Sequence, residues 1–323
     1  MVVDIGIGLV TKSELQNVSD AGSLAGAREL ALVYKDLGAY QSYKDHTLTS
    51  TEKARIQSKM STYAGYNSAA GVSVSVLSAD IVYGTYDSSS GTVQATEQGV
   101  KAVSLKSRRD ESANGVLQTT LARVLGINEL GVAATSGAGL TPLGGVPSGY
   151  AEIPIGISSH WFDLHTCEND RNIKFYPTGN EDGCAGWHTF TDWPASASRL
   201  GGILNGLRDG SYTAPATTAG STSYNFTGGT VSSRFSDMKA LYDAKKDGNG
   251  DWLVTIPVYQ DSSCANPNGS TLIIGFAKAR VFGVNEAPDK EILAEVQCGI
   301  VDSGTGNGPN DYGTLYGSPG MVQ

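Results

Sequence analysis

Imidazole and carboxylate side chains build most metal sites and acid–base pairs, and this chain gathers them between residues 160 and 192. His160, His165 and His188 lie there with Asp163, Glu168 and Asp192. One reading is a secreted hydrolase with its site among His160, Asp163, His165 and His188. The spacing matches no ligand motif, however, and Trp161, Phe162, Trp187 and Trp193 are interleaved. Ordinary packing of an aromatic loop is the favoured reading.

A second candidate is Asp247-Gly-Asn-Gly-Asp251. Asp247, Asn249 and Asp251 place side-chain oxygens at every second position, as calcium loops do at their first three ligand positions. The sixth position should be glycine and is Trp252, and the twelfth should be glutamate and is Val258. Asp-Gly and Asn-Gly are also common turn dipeptides, so a tight turn entering a strand is expected over a calcium site.

Cys167, Cys184, Cys264 and Cys298 all fall in the second half, with no Cys-x-x-Cys pair to suggest zinc. An even count of this kind reads as two disulfides in an oxidising compartment. Of the three possible connectivities, Cys167–Cys184 with Cys264–Cys298 is favoured, because each pair flanks a local loop.

Other chemistries are excluded. There is no Walker phosphate loop and no Gly-x-Ser-x-Gly elbow, and Gly6-Ile-Gly8 lacks the third glycine of a dinucleotide fingerprint. A net charge of −9 argues against nucleic acid as a partner. No cofactor is implied. Glycine (41 residues) and a charged share of 17 %, against a usual ~25 %, suit a turn-rich secreted protein. Its Tyr and Trp content leaves a glycan-binding surface module open as a further reading.

The positioning elements follow from periodicity. Residues 5–37 carry Leu15, Val18, Ala21, Leu24, Ala25, Ala31 and Leu32 at helical spacing, with Asp4 as a start cap and Gly38 as a stop. Gly22 and Gly26 inside this helix imply close approach of another helix, or of strands. Thr49-Ser-Thr-Glu52 is a capping box opening a helix to about residue 66. Strands are expected over 72–83, 100–105 and 131–140, with a third helix over 115–125. The fold class is α+β: a long N-terminal helix and further helices on a mostly antiparallel sheet, then a disulfide-bearing β-rich α+β domain.

The domain limits read as 1–140, a Pro/Gly linker or crossover at 141–150, 151–301, and a flexible tail at 302–323. Charge follows the same division: residues 1–150 hold 12 Lys/Arg against 13 Asp/Glu, and 151–323 hold 11 against 19. In the second part, strands are expected at 151–157, 253–259, 270–284 and 290–301. Short helices are expected at 196–207 and 236–244, and a loop or edge hairpin at 214–230.

Residues 3–27 contain Asp4 and Gly6, then Leu15-Gln16-Asn17, Asp20-Ala21, Leu24-Ala25 and Ala27. This pattern resembles the N-terminal segment of the Tad (tight-adherence) Flp-pilus assembly proteins, the TadE/TadG-like group. Tyr63-Ala-Gly-Tyr-Asn67, Val132-Ala-Ala-Thr135 and Ile273-Ile-Gly-Phe-Ala277 extend the likeness more loosely. The resemblance implies a non-enzymatic cell-envelope or surface component. Its partners would be other pilus or secretion-machine proteins, or copies of itself. Gln16, Asn17, Asp20, Gly22 and Gly26 would form an assembly contact. It also implies a membrane anchor: family members begin with about 20 apolar residues that span the bilayer, and this chain starts at the end of that span. The Asp-x-Ser-x-Ser metal motif of the family's von Willebrand factor A-like domain has no counterpart here, so metal-dependent adhesion is not carried over.

Overall fold

In the computed structural model, which describes residues 2–38, 41–165, 171–175, 183–228 and 231–322, the first element is a 35-residue helix, α1 (Val2–Asp36). It ends where Gly38 adopts φ +99°. Asp4 lies inside this helix rather than at its start. The Thr49/Glu52 capping box forms as read, with the Glu52 N–H donating to Thr49 Oγ1 at 3.3 Å and the Thr49 N–H donating back to Oε2 at 2.8 Å. It opens α2 (Ser50–Ala64), which buries Ile56, Met60 and Ala64 at i, i+4 and i+8.

Short strands β1 (Ser68–Ala69) and β2 (Val72–Ser73) pair as a hairpin, so only the start of the expected 72–83 strand lies there. β3 (Ile81–Asp87), β4 (Thr92–Ala95) and β5 (Ala102–Arg109) follow, then the small hairpin β6 (Leu117–Gln118) and β7 (Glu129–Leu130), and β8 (Val132–Gly139). The third helix expected at 115–125 is absent. Asn114 and Gly115 both adopt positive φ, which stops a right-handed helix from starting, and only a 3-10 turn forms at Ala122–Leu125. The main sheet is antiparallel, in the order β8-β5-β3-β4, and residues Gly320–Met321 add a strand beside Gly139 and Ala138 at one end of β8.

α1 lies on this sheet and against α2. A Cβ on Gly22 would sit 2.4 Å from Leu105 Cδ2, and one on Gly26 would sit 2.6 Å from Met60 Cγ and 3.0 Å from Val103 Cγ2. The two glycines therefore make room both for α2 and for β5. The Ser19 hydroxyl donates to the Ala134 carbonyl at 3.2 Å and accepts from the Ser107 N–H at 3.3 Å, linking two residues that are register partners across β5 and β8. Gly26→Val should destabilise this unit by about 1–3 kcal/mol, because the added methyls overpack a filled site; urea unfolding checks it.

The second unit comprises Ala39–Ser42 and Thr141–Tyr316. The expected linker at 141–150 is built into it: Leu143 and Val146 are buried, and β9 (Gly145–Val146) forms a ladder with β13 (Thr217–Thr218). Between these come β10 (Ile155–Ser158), α3 (Ser159–Leu164), β11 (Asn172–Lys174), β12 (Ala185–Trp187) and α4 (Ala197–Asp209). Next are β14 (Ser223–Thr227), α5 (Phe235–Lys245), β15 (Trp252–Tyr259), β16 (Asn268–Asn285), β17 (Glu291–Gln297), β18 (Ile300–Asp302) and β19 (Thr314–Tyr316). The strand Gly320–Met321 of the first unit is then β20. The sheet order is β11-β17-β16-β15-β10-β12, antiparallel except for β10 beside β15, and β14 also pairs with β16.

Leu200, Ile203, Leu204 and Leu207 of α4 and Phe235, Met238 and Leu241 of α5 bury helical stripes in the same core as Phe276, Ile256 and Val281. Ser196 caps α4 by accepting the Arg199 N–H at 3.2 Å. The flexible tail expected at 302–323 is also corrected. β19 runs parallel to β18, and Thr314 and Leu315 are buried.

The favoured cysteine pairing is overturned. Cys184 is bonded to Cys264, with Cα atoms 4.2 Å apart and a sequence separation of 80. Cys298 is disulfide-bonded as well, and Cys167 lies outside the described residues. Sheet register explains the pairing. Ile157 pairs with Ala185 on one side and Val258 on the other, so β10 brings the start of β12 and the loop after β15 to the same place. The Ser158 N–H donates to the Cys184 carbonyl and its hydroxyl to the Ser263 carbonyl.

Candidate functional site

The most unusual surface of the first unit is one end of α1 together with the tip of the β6–β7 hairpin. Residues 2–10 of α1 contain one charged side chain, Asp4, and it is turned inward and 6 % exposed. Gly8 is buried one turn on, its missing Cβ position 2.8 Å from Leu130 Cδ2 of β7. The remaining face of that segment exposes Val2, Val3, Ile5, Ile7, Leu9 and Val10.

Asp4 joins this helix end to the hairpin tip. Its Oδ1 accepts the Thr120 N–H at 2.5 Å, and its Oδ2 accepts the Leu121 and Ala122 N–H groups at 3.0 and 2.9 Å. These are the amides that lead into the 3-10 turn, where a negative charge is favourable. The Thr120 N–H, foremost among them, holds the Asp4 carboxyl below its ordinary value of 3.8. Its stabilising contribution is therefore full above that value and is lost as pH falls through the lower folded value. Asp4→Asn should speed hydrogen exchange at the Thr120–Ala122 amides, read by mass spectrometry.

The tip itself exposes Leu121, Val124, Leu125 and Ile127, with Val124 at 86 %. Its backbone is nonetheless well satisfied. The Thr119 N–H donates to the Asn128 carbonyl, Val124 to Leu121, Gly126 to Arg123 and Ile127 to Ala122, while the Thr119 hydroxyl donates to the Ile127 carbonyl. Gly126 at φ +80° permits the return of the chain. Clustered exposed aliphatic residues on two elements mark an interaction surface more strongly than scattered ones.

Of the expected assembly residues, Gly22 and Gly26 are buried inside the unit, as described above. Gln16 Nε2 donates to Asp20 Oδ1 at 2.8 Å and reaches the Thr135 carbonyl at 3.4 Å, a helix–sheet contact, whereas Asn17 faces solvent. Beside this stripe, Ala21, Leu24, Ala25 and Leu32 of α1 and Tyr63 of α2 line a groove of about 530 Å³.

In the second unit the histidines do not converge. His160 Nδ1 lies 3.5 Å from Asp163 on the surface of α3. His165 stacks on Trp161 with ring centroids 4.5 Å apart. His188 is fully buried against Phe190, Tyr224 and Phe226, and its Nδ1 accepts the Phe190 N–H at 3.2 Å. Glu168 lies outside the described residues. Burial pushes the His188 pKa down to about 3, with only a weak upward pull from the Ile155 carbonyl.

The unfolded chain takes up this proton near pH 6.5 and the folded chain does not, so stability falls as pH drops from 6.5 toward 3. His188→Gln should flatten that slope, amounting to about 2 kcal/mol by pH 5, measured by denaturant unfolding across the range.

The Asp247 turn also resolves locally. Asp247 Oδ1 accepts the Asn249 and Asp251 N–H groups at 2.9 and 3.0 Å, and Asp251 is paired with Arg280 at 3.1 Å. Its carboxylates serve a turn into β15 and a cross-strand ion pair. Among the described residues, no group of three or more His, Cys, Asp or Glu is placed to hold a metal ion.

One polar cluster is invisible in the sequence. Lys278 Nζ on β16 lies 2.8 Å from Asp302 Oδ2 and 3.0 Å from Thr255 Oγ1, and the Tyr150 hydroxyl donates to Asp302 Oδ1. Burial alone would raise the Asp302 carboxyl, but the Lys278 charge and the hydrogen bonds outweigh it and hold the group below its ordinary value. Burial, with the neighbouring carboxylate, pushes the Tyr150 phenol up to about 12. An ionised, paired carboxylate beside a firmly protonated phenol is a structural lock, since neither group can trade protons near neutrality. The one signal for it is a lysine flanked by alanines inside an apolar strand, Phe276-Ala-Lys-Ala279.

No described helix is long and apolar enough to cross a membrane, and the disulfide fits an oxidising compartment outside the cytoplasm. No family model matches the chain, and neither does any curated protein or solved structure.

Proposed function

We propose that this protein is a non-enzymatic component of a pilus or tight-adherence assembly system, held at the outer side of the cell envelope and acting through protein–protein contacts. The observation that carries the reading is the dual character of α1. Residues 11–34 form the spine of an α+β unit, packed on strands and on α2, while residues 2–10 present aliphatic side chains outward. A helix of that kind suits a segment that leaves a membrane and continues into a folded domain. The groove beside Ala21 and Ala25 would take a partner of the machine or a second copy, and Gln16 and Asp20 would edge that contact.

The disulfide-bonded second unit supports an extracytoplasmic location. Cell fractionation and gene deletion test the proposal together. Envelope localisation with loss of piliation or surface attachment is the expected outcome. A cytoplasmic full-length product, or unchanged attachment in the deletion strain, overturns it.

A further inference from the structure

The tip of the β6–β7 hairpin offers an inference that deepens the envelope reading and rests on it. We propose that residues 121–127 dip into the surface of an anionic lipid bilayer, giving the protein a second membrane contact beside α1.

Three observations converge on lipid as the occupant. The exposed side chains of the tip are aliphatic: Leu121, Val124, Leu125 and Ile127. The Asp4 carboxylate ties this tip directly to the aliphatic end of α1, so that two elements more than 110 residues apart in sequence present one apolar surface. Many backbone N–H groups of the tip are also satisfied internally. The N–H groups of Thr119, Thr120, Leu121, Ala122, Val124, Gly126 and Ile127 all donate within the unit. Internal donation by these N–H groups lowers the cost of partly dehydrating the tip at a bilayer surface.

Charge points to the kind of lipid. The one acidic side chain of residues 2–10 is turned inward, its carboxylate held by three backbone N–H groups, and the one charged side chain within 121–127 is Arg123, which is exposed. A single guanidinium at the rim of an aliphatic patch suits phosphate-bearing headgroups.

The test uses the full chain with a cysteine introduced at Val124 and labelled with an environment-sensitive fluorophore. A matching probe is placed at Leu9, and a control probe at exposed Ser89. Vesicles of phosphatidylcholine and phosphatidylglycerol in equal parts should raise and blue-shift the emission at positions 124 and 9 but not at 89. Pure phosphatidylcholine should do so less. Val124→Asp with Leu125→Asp, two exposed positions whose change leaves the core intact, should lower vesicle co-flotation by about tenfold or more. Arg123→Glu should abolish the preference for phosphatidylglycerol.

A response at Leu9 with none at Val124 overturns the tip contact while leaving the envelope reading in place. No response at either position overturns both. If the aspartate pair instead dissolves a dimer and vesicles have no effect, the surface is a self-interface and the lipid assignment falls.

Discussion

Lys278→Met should be among the most damaging single substitutions in the second unit, costing about 3–5 kcal/mol. The lysine side chain is about 12 % exposed and its partner Asp302 about 10 %. Methionine fills similar space but removes the one cation that offsets the buried carboxylate. What remains is an anion with hydrogen bonds from Thr255, Tyr150 and the Ser303 N–H, and no counter-charge.

Most of that cost belongs to the stranded charge rather than to the ion pair itself. The double variant Lys278→Met with Asp302→Asn should therefore recover most of the loss, and a double-mutant cycle by urea unfolding measures the recovery. The pH dependence changes as well. In the wild type, Asp302 contributes stability above its unfolded value, near 3.8, that is lost as pH falls through its depressed folded value. In Lys278→Met, burial is opposed only by the hydrogen bonds from Thr255, Tyr150 and Ser303, so the carboxyl should move up and the variant should gain stability relative to wild type as the solution is acidified toward pH 4.

Removing the Cys184–Cys264 bond should be of similar size. A crosslink spanning 80 residues restricts the unfolded chain by about 4 kcal/mol in the loop-entropy account, within the usual range of about 2–5 kcal/mol for native disulfides. Replacing both cysteines with alanine should lower the melting temperature of this unit by about 10 °C, read by scanning calorimetry. The bond fastens the start of β12 to the loop between β15 and β16, so proteolysis of the variant should begin in one of those two segments. A variant that melts with the wild type would mean that the sheet register alone holds the two together.

Local chemistry was the legible part of this chain. The Thr49/Glu52 box, the short helix at 196–207 and the apolar runs at 253–259 and 270–284 act over a few residues, and each appears close to where its residues place it. The errors came from long range. Val116, Leu117, Leu121 and Val124 have helical spacing, yet Leu117 is buried in a hairpin while Leu121 and Val124 face outward. Their periodicity does not mark a helix stripe facing a core.

Cysteine pairing failed for a related reason. Strand order, not proximity in sequence, decides the pairing, and β10 lying between β12 and β15 is not readable from residue types. Asp4 looked like a cap for its own helix, whereas its carboxylate serves amides 116 to 118 residues away. The histidine cluster was a coincidence of sequence: α3 carries two on its surface side and at its end, and the core takes the third.

The strand at Gly320–Met321, which pairs with Gly139 and Ala138, sets an order of events during synthesis. The first unit is interrupted by the whole of the second, and its last strand leaves the ribosome some 180 residues after the edge it completes. Domains usually fold as they emerge, N-terminal first. Here the end of β8 must wait as an open edge, a template for wrong pairing, until those residues have been made.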